Sequence, residues 1–289
     1  MRKMKVISLS NQKGGVAKTT TSTSLAKGFA DEGKKVLLID SDKQANTTDM
    51  VAGIGNELSE NFIKRIYEND PENPVEFLAM LDKSLNDEEK IKKDLGDVLM
   101  SPAIIKEAII HTKYKNLDLV PASLKLGQAQ VILSSMFAQE RFLNEALRYV
   151  EDEYDYVIID NAPDIDNAIW RNSIYASDLV LVPVKIDRGA LKGVVATMKK
   201  IIEIHHIKPN FEFKVFFTMM NNNKIDKSIY KLFEDYFNAY TLKTKVRFRA
   251  KPATEASLNN QFLIDSNLNV SDELKELLKE VEDIFNESE

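Results

Sequence analysis

The sequence contains no cysteine. Disulfides, thiolate metal sites and a cysteine nucleophile are therefore excluded. It also lacks any apolar run of about 18 residues, the length that a membrane-spanning helix needs, so no membrane partner is expected. No signal-peptide hydrophobic stretch precedes the first strand pattern; Met1-Arg2-Lys3-Met4 leads straight into it, and a cytoplasmic protein is the expectation. Repeats, low-complexity linkers and a clean domain boundary are missing too. The 289 residues therefore read as a single domain over 1–289, long enough for a sizeable core. At 44% hydrophobic and 29% charged, the chain has the balance of a soluble globular protein.

The net charge of −6 argues at first against a nucleic-acid partner. Its distribution changes that. Ser271 to Glu289 holds eight acids and two lysines and so accounts for the whole excess. An acidic helix is expected there, at about 271–287. The balanced remainder can carry a local basic patch.

What the sequence does contain is a glycine turn between a strand pattern, Met4 to Leu9, and a helix pattern from Lys18 to about Glu32. The turn reads Lys13-Gly14-Gly15-Val16-Ala17-Lys18-Thr19-Thr20. Backbone N–H groups of such a turn form a concave nest, and the helix N-terminus adds partial positive charge, which suits phosphate. Lys18 would reach the β- and γ-phosphates, and the Thr19 hydroxyl would sit on Mg²⁺. Against the pattern G-x-x-x-x-G-K-[ST], Gln12 and Ala17 occupy the glycine places. Alanine at 17 is expected to need a negative φ, because a Cβ penalises the left-handed region.

Lys35 to Ile39 reads as a buried parallel strand. It ends in Asp40-Ser41-Asp42-Lys43-Gln44-Ala45-Asn46-Thr47-Thr48. Carboxylates at the carboxyl end of a strand lie where open α/β sheets bind ligands. Tyr154 to Asp160 repeats the arrangement as a Walker B pattern, with Asp160 in the Mg²⁺ shell. Asn161-Ala162-Pro163 opens a second switch loop that reaches Asn167. Leu117–Ala122, Asp178–Val184 and Phe211–Met219 also read as strands. Helical spacing appears at Asn61–Glu68, Val75–Asp82, Ala103–Ile110 and about Gly189–His205. A long helix is expected over Gln128–Glu151, with Val131 and Phe137 on its apolar face. Asp87 to Asp97 reads as a solvated helix face, and His205 and His206 as helix-end surface residues.

Late in the chain, Lys243, Lys245, Arg247, Arg249 and Lys251 occupy alternate positions. In an extended segment, period two puts all five on one side and Val246 and Phe248 on the other. Such a ridge can follow DNA phosphates. It can equally be an edge strand protected by its charges.

In this order the motifs resemble the deviant Walker A ATPases, the ParA/MinD group of P-loop proteins, whose loop reads K-G-G-x-G-K-[ST]. The Asp40 run is similar to that family's D-x-D-P-Q-G-N, with Lys43 and Ala45 in the proline and glycine places. Thr254-Glu255-Ala256 resembles its S-E-A. The resemblance covers nearly the whole chain and implies a mostly parallel twisted sheet flanked by helices. It implies ATP and Mg²⁺ as cofactors, with Thr19, Asp40 and Asp160 around the metal. Lys18 would hold the phosphates, Asp42 would orient the attacking water, and Lys13 would reach the nucleotide of a second subunit. The implied function is that of a ParA/Soj-type partition ATPase. ATP closes a homodimer, the dimer binds DNA without sequence preference on the nucleoid, and a ParB-like partner stimulates hydrolysis. The missing cysteines exclude the iron–sulfur branch. A MinD-like positioning ATPase should end in a basic amphipathic helix, and a tyrosine kinase of related fold in a tyrosine cluster. The acidic, tyrosine-free tail disfavours both. Ala17 and Lys43 leave open a nucleotide-dependent scaffold with little turnover.

Overall fold

Apolar strands buried on both faces require helices on both sides of a sheet. The computed structural model describes residues 4–53, 64, 67–68, 71, 73–85, 91–247, 261–266 and 269–287. Among them the strands are β1 Lys5–Leu9, β2 Val36–Ser41, β3 Ile110–His111, β4 Leu117–Val120, β5 Tyr156–Asn161, β6 Leu179–Lys185, β7 Glu212–Thr218 and β8 Thr241–Val246. They form one sheet in the order β3-β4-β2-β5-β1-β6-β7-β8. Only β3 runs antiparallel, against β4. Leu9 lies beside Asp160, and Asp40 beside Asp160 on the other side. The register therefore brings the ends of three motif strands to one level.

The helices are α1 Lys18–Asp31, α2 Asn46–Ala52, α3 Pro74–Leu85, α4 Leu95–Met100, α5 Ile105–Ala108, α6 Leu126–Leu133, α7 Phe142–Arg148, α8 Ala168–Ala176, α9 Arg188–Ile207, α10 Lys224–Tyr236 and α11 Asn269–Glu287. Alternation along the strands sorts the core into layers. Ile7, Leu9 and Leu38 face Leu25 and Phe29 of α1 and Leu274, Leu277 and Val281 of α11. Val6, Leu37 and Ile159 face α4 and α7. Val182 and Val215 face Val194 and Ile201 of α9 and Tyr230 of α10.

Several expected elements differ. The helix over 128–151 is divided into α6 and α7, with Ala138 between them at φ 52°. Each piece turns its own residues to the core, Leu126 and Leu133 from α6 and Leu143, Ala146 and Leu147 from α7. Val131 and Phe137 are accordingly exposed, at 73% and 98%, rather than on a shared buried face. Residues 103–110 form only a 3₁₀ turn and the short α5, because Ile110 is taken by pairing with β4. Asp94, expected on a solvated face, is buried and caps α4 reciprocally with Asp97. Such a cap satisfies helix-end amides that the sequence spacing alone does not reveal. The helix expected at 61–68 falls largely outside the described residues, and Thr254-Glu255-Ala256 falls wholly outside them. The acidic terminal segment is part of the core. Val270, Leu274, Leu277, Leu278, Val281 and Phe285 of α11 are buried, each contributing about 1.5–3 kcal/mol.

Candidate functional site

The turn between β1 and α1 is built around two left-handed residues, Gly15 at φ 68° and Ala17 at φ 70°. Glycine takes that conformation readily, whereas for alanine it costs roughly 1–2 kcal/mol. The expected negative φ at Ala17 is therefore wrong: the loop keeps the glycine path and bears the strain. Ala45 does the same before α2, at φ 56°. Both positions where alanine replaces the related family's glycine thus keep glycine's geometry. Neither helix has a side-chain cap at its N-terminus. For α1 this leaves first-turn amides directed at the loop, as an anion site requires.

Lys18 is buried, and its Nζ donates to the carbonyl oxygens of Asn11 at 3.1 Å and Lys13 at 3.0 Å. Burial lowers its pKa, opposed by the charges of Asp160 and Asp42. The three predicted groups are thereby brought together. Gly14 and Gly15 are exposed, Val16 is buried, and Thr19 and Thr20 are half-buried in the first turn of α1. Lys13 Nζ lies 3.6 Å from Asp187 Oδ1 of its own chain. It rests in a hollow on α9 where a Cβ on Gly189 would meet Lys13 Nζ at 2.5 Å, and one on Gly193 would meet Asn11 Oδ1 at 3.0 Å.

Asp40 and Asp160 are both buried at adjacent strand ends. Asp40 accepts from the Thr48 N–H and hydroxyl, both at 2.8 Å, and from the Asp42 N–H at 3.1 Å. Burial first, and then the charge of Asp160, push its pKa up to about 8. Asp160 is also raised by burial, and the hydroxyls of Thr47, Thr19 and Ser22 oppose the rise. Its Oδ2 accepts from Thr47 Oγ1 at 2.6 Å, while its buried Oδ1 finds no hydrogen-bond partner. An orphaned carboxylate oxygen beside a second carboxylate and a threonine hydroxyl fits Mg²⁺, which takes few protein ligands and completes its shell with phosphates and water. Among the described residues no group of three or more His, Cys, Asp or Glu could hold a metal on its own, so this smaller donor set is the candidate. Asp42 is half-buried, and its Oδ1 accepts from the Gln44 N–H at 3.0 Å.

The sequence reading left Thr47, Thr48, Asn11 and Asn161 without roles. Thr47 and Thr48 hold the two carboxylates. Asn11 Nδ2 donates to the Pro183 carbonyl at 2.7 Å, and Asn161 Nδ2 to the Leu9 carbonyl at 3.0 Å. Their signal was the run of small polar residues at each strand end, which an apolar strand does not need.

The basic segment departs from its expected geometry. Lys245 pairs with Phe217, but a register shift between Val215 and Phe217 interrupts β8. Leu242 and Val246 both enter the same core layer, so the alternation holds as far as Val246, and the common side expected for the cations is lost only at Arg247. Lys245 Nζ lies 3.4 Å from the Tyr230 ring centroid, on the α10 side. Arg247 instead meets α11, its backbone N–H and Nε bonding Glu273 at 2.5 and 2.8 Å. Glu280 accepts from the Lys243 and Thr244 N–H groups at 2.7 and 2.9 Å. Arg249 and Lys251 lie outside the described residues. His205 and His206 end α9, with His205 edge-on to Phe211 at 5.2 Å.

A family model described as an AAA domain matches residues 4–215. Among curated proteins, the sporulation initiation inhibitor protein Soj of Bacillus subtilis is 33% identical over 190 residues, 66% of this chain and 62% of its own length. The chain thus spans less than two thirds of that relative. The chromosome partitioning protein ParA of Caulobacter vibrioides is 29% identical over 79% of this chain and 74% of its own. Among solved structures, a plasmid partition protein of Borrelia burgdorferi bound to AMPPNP superposes with a TM-score of 0.72. It is 23% identical and covers 99% of this chain and 100% of its own. At that identity the likeness establishes the fold, an eight-stranded and mostly parallel sheet between helices.

Proposed function

The chain belongs to the AAA domain family that matches residues 4–215, with Soj and ParA among its relatives, and from that premise we propose that it is a ParA-like, Mg²⁺-dependent partition ATPase. The observation that carries this reading is the meeting of the Lys18 loop with Asp40, Asp42 and Asp160, where Asp160 Oδ1 lacks a partner. Lys18 and the amides of residues 14–19 bind the phosphates. Thr19, Asp40 and Asp160 would hold the metal, which would neutralise phosphate charge. Asp42 orients the attacking water, and Lys13 leaves Asp187 to act on the nucleotide of a second copy. Positioning and charge neutralisation supply the catalysis. No helix among the described residues is long and apolar enough to cross a membrane, and the proposed working place is the nucleoid.

DNA binding is the second half of the proposal. On α10, Lys224, Lys227 and Lys231 are exposed at helical spacing, and Lys245 lies beside them over Tyr230. This stripe supports a duplex-phosphate contact better than Arg247, which is ion-paired to Glu273 at 2.8 Å. Two stripes on an ATP-closed dimer would bind together with raised avidity, and a ParB-like partner would trigger hydrolysis and release.

Two assays test these claims. Lys18→Ala should abolish ATP binding, and Asp42→Ala should keep binding while losing turnover. Retained hydrolysis by Asp42→Ala removes the assigned water-orienting role. In a salt titration with two unrelated duplexes, Lys227→Glu with Lys231→Glu should remove ATP-dependent binding. Each lost phosphate contact should lower the log–log salt slope by roughly 0.9. Equal affinity with ATP and ADP defeats the nucleotide gating.

A further inference from the structure

Trp170 is the only tryptophan of the chain and is buried within α8. Its indole Nε1 donates to Ser10 Oγ at 2.7 Å. Ser10 immediately follows β1 and begins the descent into the phosphate loop. Its neighbour Asn11 accepts at Oδ1 from the Lys13 N–H at 2.8 Å, and its carbonyl accepts from Lys18 Nζ at 3.1 Å. The backbone N–H of Trp170 donates to Asn167 Oδ1 at 2.7 Å. Asn167 caps α8 and ends the loop that follows Asp160 and Asn161 of β5; its Nδ2 donates to the Asp164 carbonyl at 3.1 Å. One residue therefore bonds through its backbone to the loop after the metal carboxylate, and through its ring to the root of the phosphate loop.

We propose that Trp170 is a positioning residue for the nucleotide site, a latch that fixes the 162–167 loop relative to the Lys13–Thr20 loop. This rests on the nucleotide-binding reading above. Both ends of the indole–hydroxyl bond are buried, Ser10 at 0% and Trp170 at 2% exposure. An unmade bond in such a place costs about 1–3 kcal/mol, so neither loop can shift alone without breaking it. The ring also packs with Ile165 of the loop itself and with Val182 of β6, which holds the indole in place against the sheet. Phosphates on one loop and a metal on the other would need this fixed separation.

A bond that only satisfied a buried indole would behave differently from a latch, and three variants separate the two. Trp170→Phe and Ser10→Ala each leave one buried polar group alone. Each should lower the melting temperature and weaken Mg-ATP binding by roughly 3- to 10-fold, the scale of one buried hydrogen bond. The Trp170→Phe, Ser10→Ala double variant removes both polar groups. It should regain most of the melting temperature but not the ATP affinity. The probe is a fluorescent ATP analogue with Mg²⁺, titrated at equilibrium alongside thermal unfolding. Should Trp170→Phe fail to fold, Ser10→Ala keeps the ring and carries the same expectation. Wild-type binding with unchanged variants, or recovery of affinity together with stability in the double variant, overturns the latch alone. A wild-type protein that binds no ATP overturns the nucleotide reading and the latch with it.

Discussion

The stretches Lys13–Thr20 and Lys243–Arg247 are both short, cation-bearing and placed at strand ends, yet the chain uses their charges in opposite ways. In the first, the lysine that defines the motif is buried and turned inward. Its neighbours in space, Asp42 and Asp160, come from other strands of the same sheet layer and share its electrostatics. In the second, the described cations stay at the surface and take partners from neighbouring helices, and the Arg247 side chain remains 66% exposed. Arg247 is gripped by Glu273 and Lys245 lies on Tyr230, while Glu280 occupies the backbone amides of Lys243 and Thr244. A phosphate loop is assembled by backbone path, so residues a few positions apart carry it. Whether a surface cation is already ion-paired depends on what packs beside it: Arg247 meets Glu273 of α11, 26 residues further along the chain, whereas Lys245 meets only the ring of Tyr230 on α10.

The sharpest way to break this contrast is to remove the covering helix. If α11 were a loose acidic tail, deletion of 269–289 would simply expose the cations and strengthen DNA binding. Because six apolar side chains of α11 are buried, at about 1.5–3 kcal/mol each, deletion should instead abolish cooperative unfolding. A truncated chain that melts cooperatively near the full-length temperature would show the helix to be separable.

A smaller effect should mark the nucleotide side. Asp40 has a pKa near 8 in the folded protein against an ordinary 3.8. Between those values the folded state holds a proton that the unfolded state releases. Its contribution to stability is therefore full below about pH 4 and falls as pH rises through about 8. Asp40→Asn cannot titrate, so the difference in urea midpoint between variant and wild type should move in the variant's favour from about pH 5 to pH 8. A pH-independent difference would show Asp40 to be ionised throughout that range.

The smallest effect tests the strained turns. Ala17→Gly and Ala45→Gly each relieve a left-handed alanine, and each should raise stability by about 0.5–1 kcal/mol without altering the loop path. Denaturant melts of the two single variants and the double variant provide the check. Unchanged or lower stability in both single variants would mean that the left-handed alanines store no usable strain.

The local chemistry of this protein was written in its sequence. The glycine turn, the apolar runs ending in Asp40 and Asp160, and the order of these elements specify a phosphate site because each depends on neighbours within a few residues or on strand periodicity. The φ of Ala17 escaped that reading, since helix and strand on either side dictate the turn's path and a Cβ only makes it costlier. Tertiary structure alone decided which threonines hold the carboxylates, that Trp170 reaches Ser10 across 160 residues, and that α11 takes the strand's edge. Apart from Thr48 and Asp40, eight residues apart, those pairings join groups distant in the chain. Burial and register, rather than residue spacing, choose their partners, because only a packed interior makes an unpartnered polar group costly enough to select one.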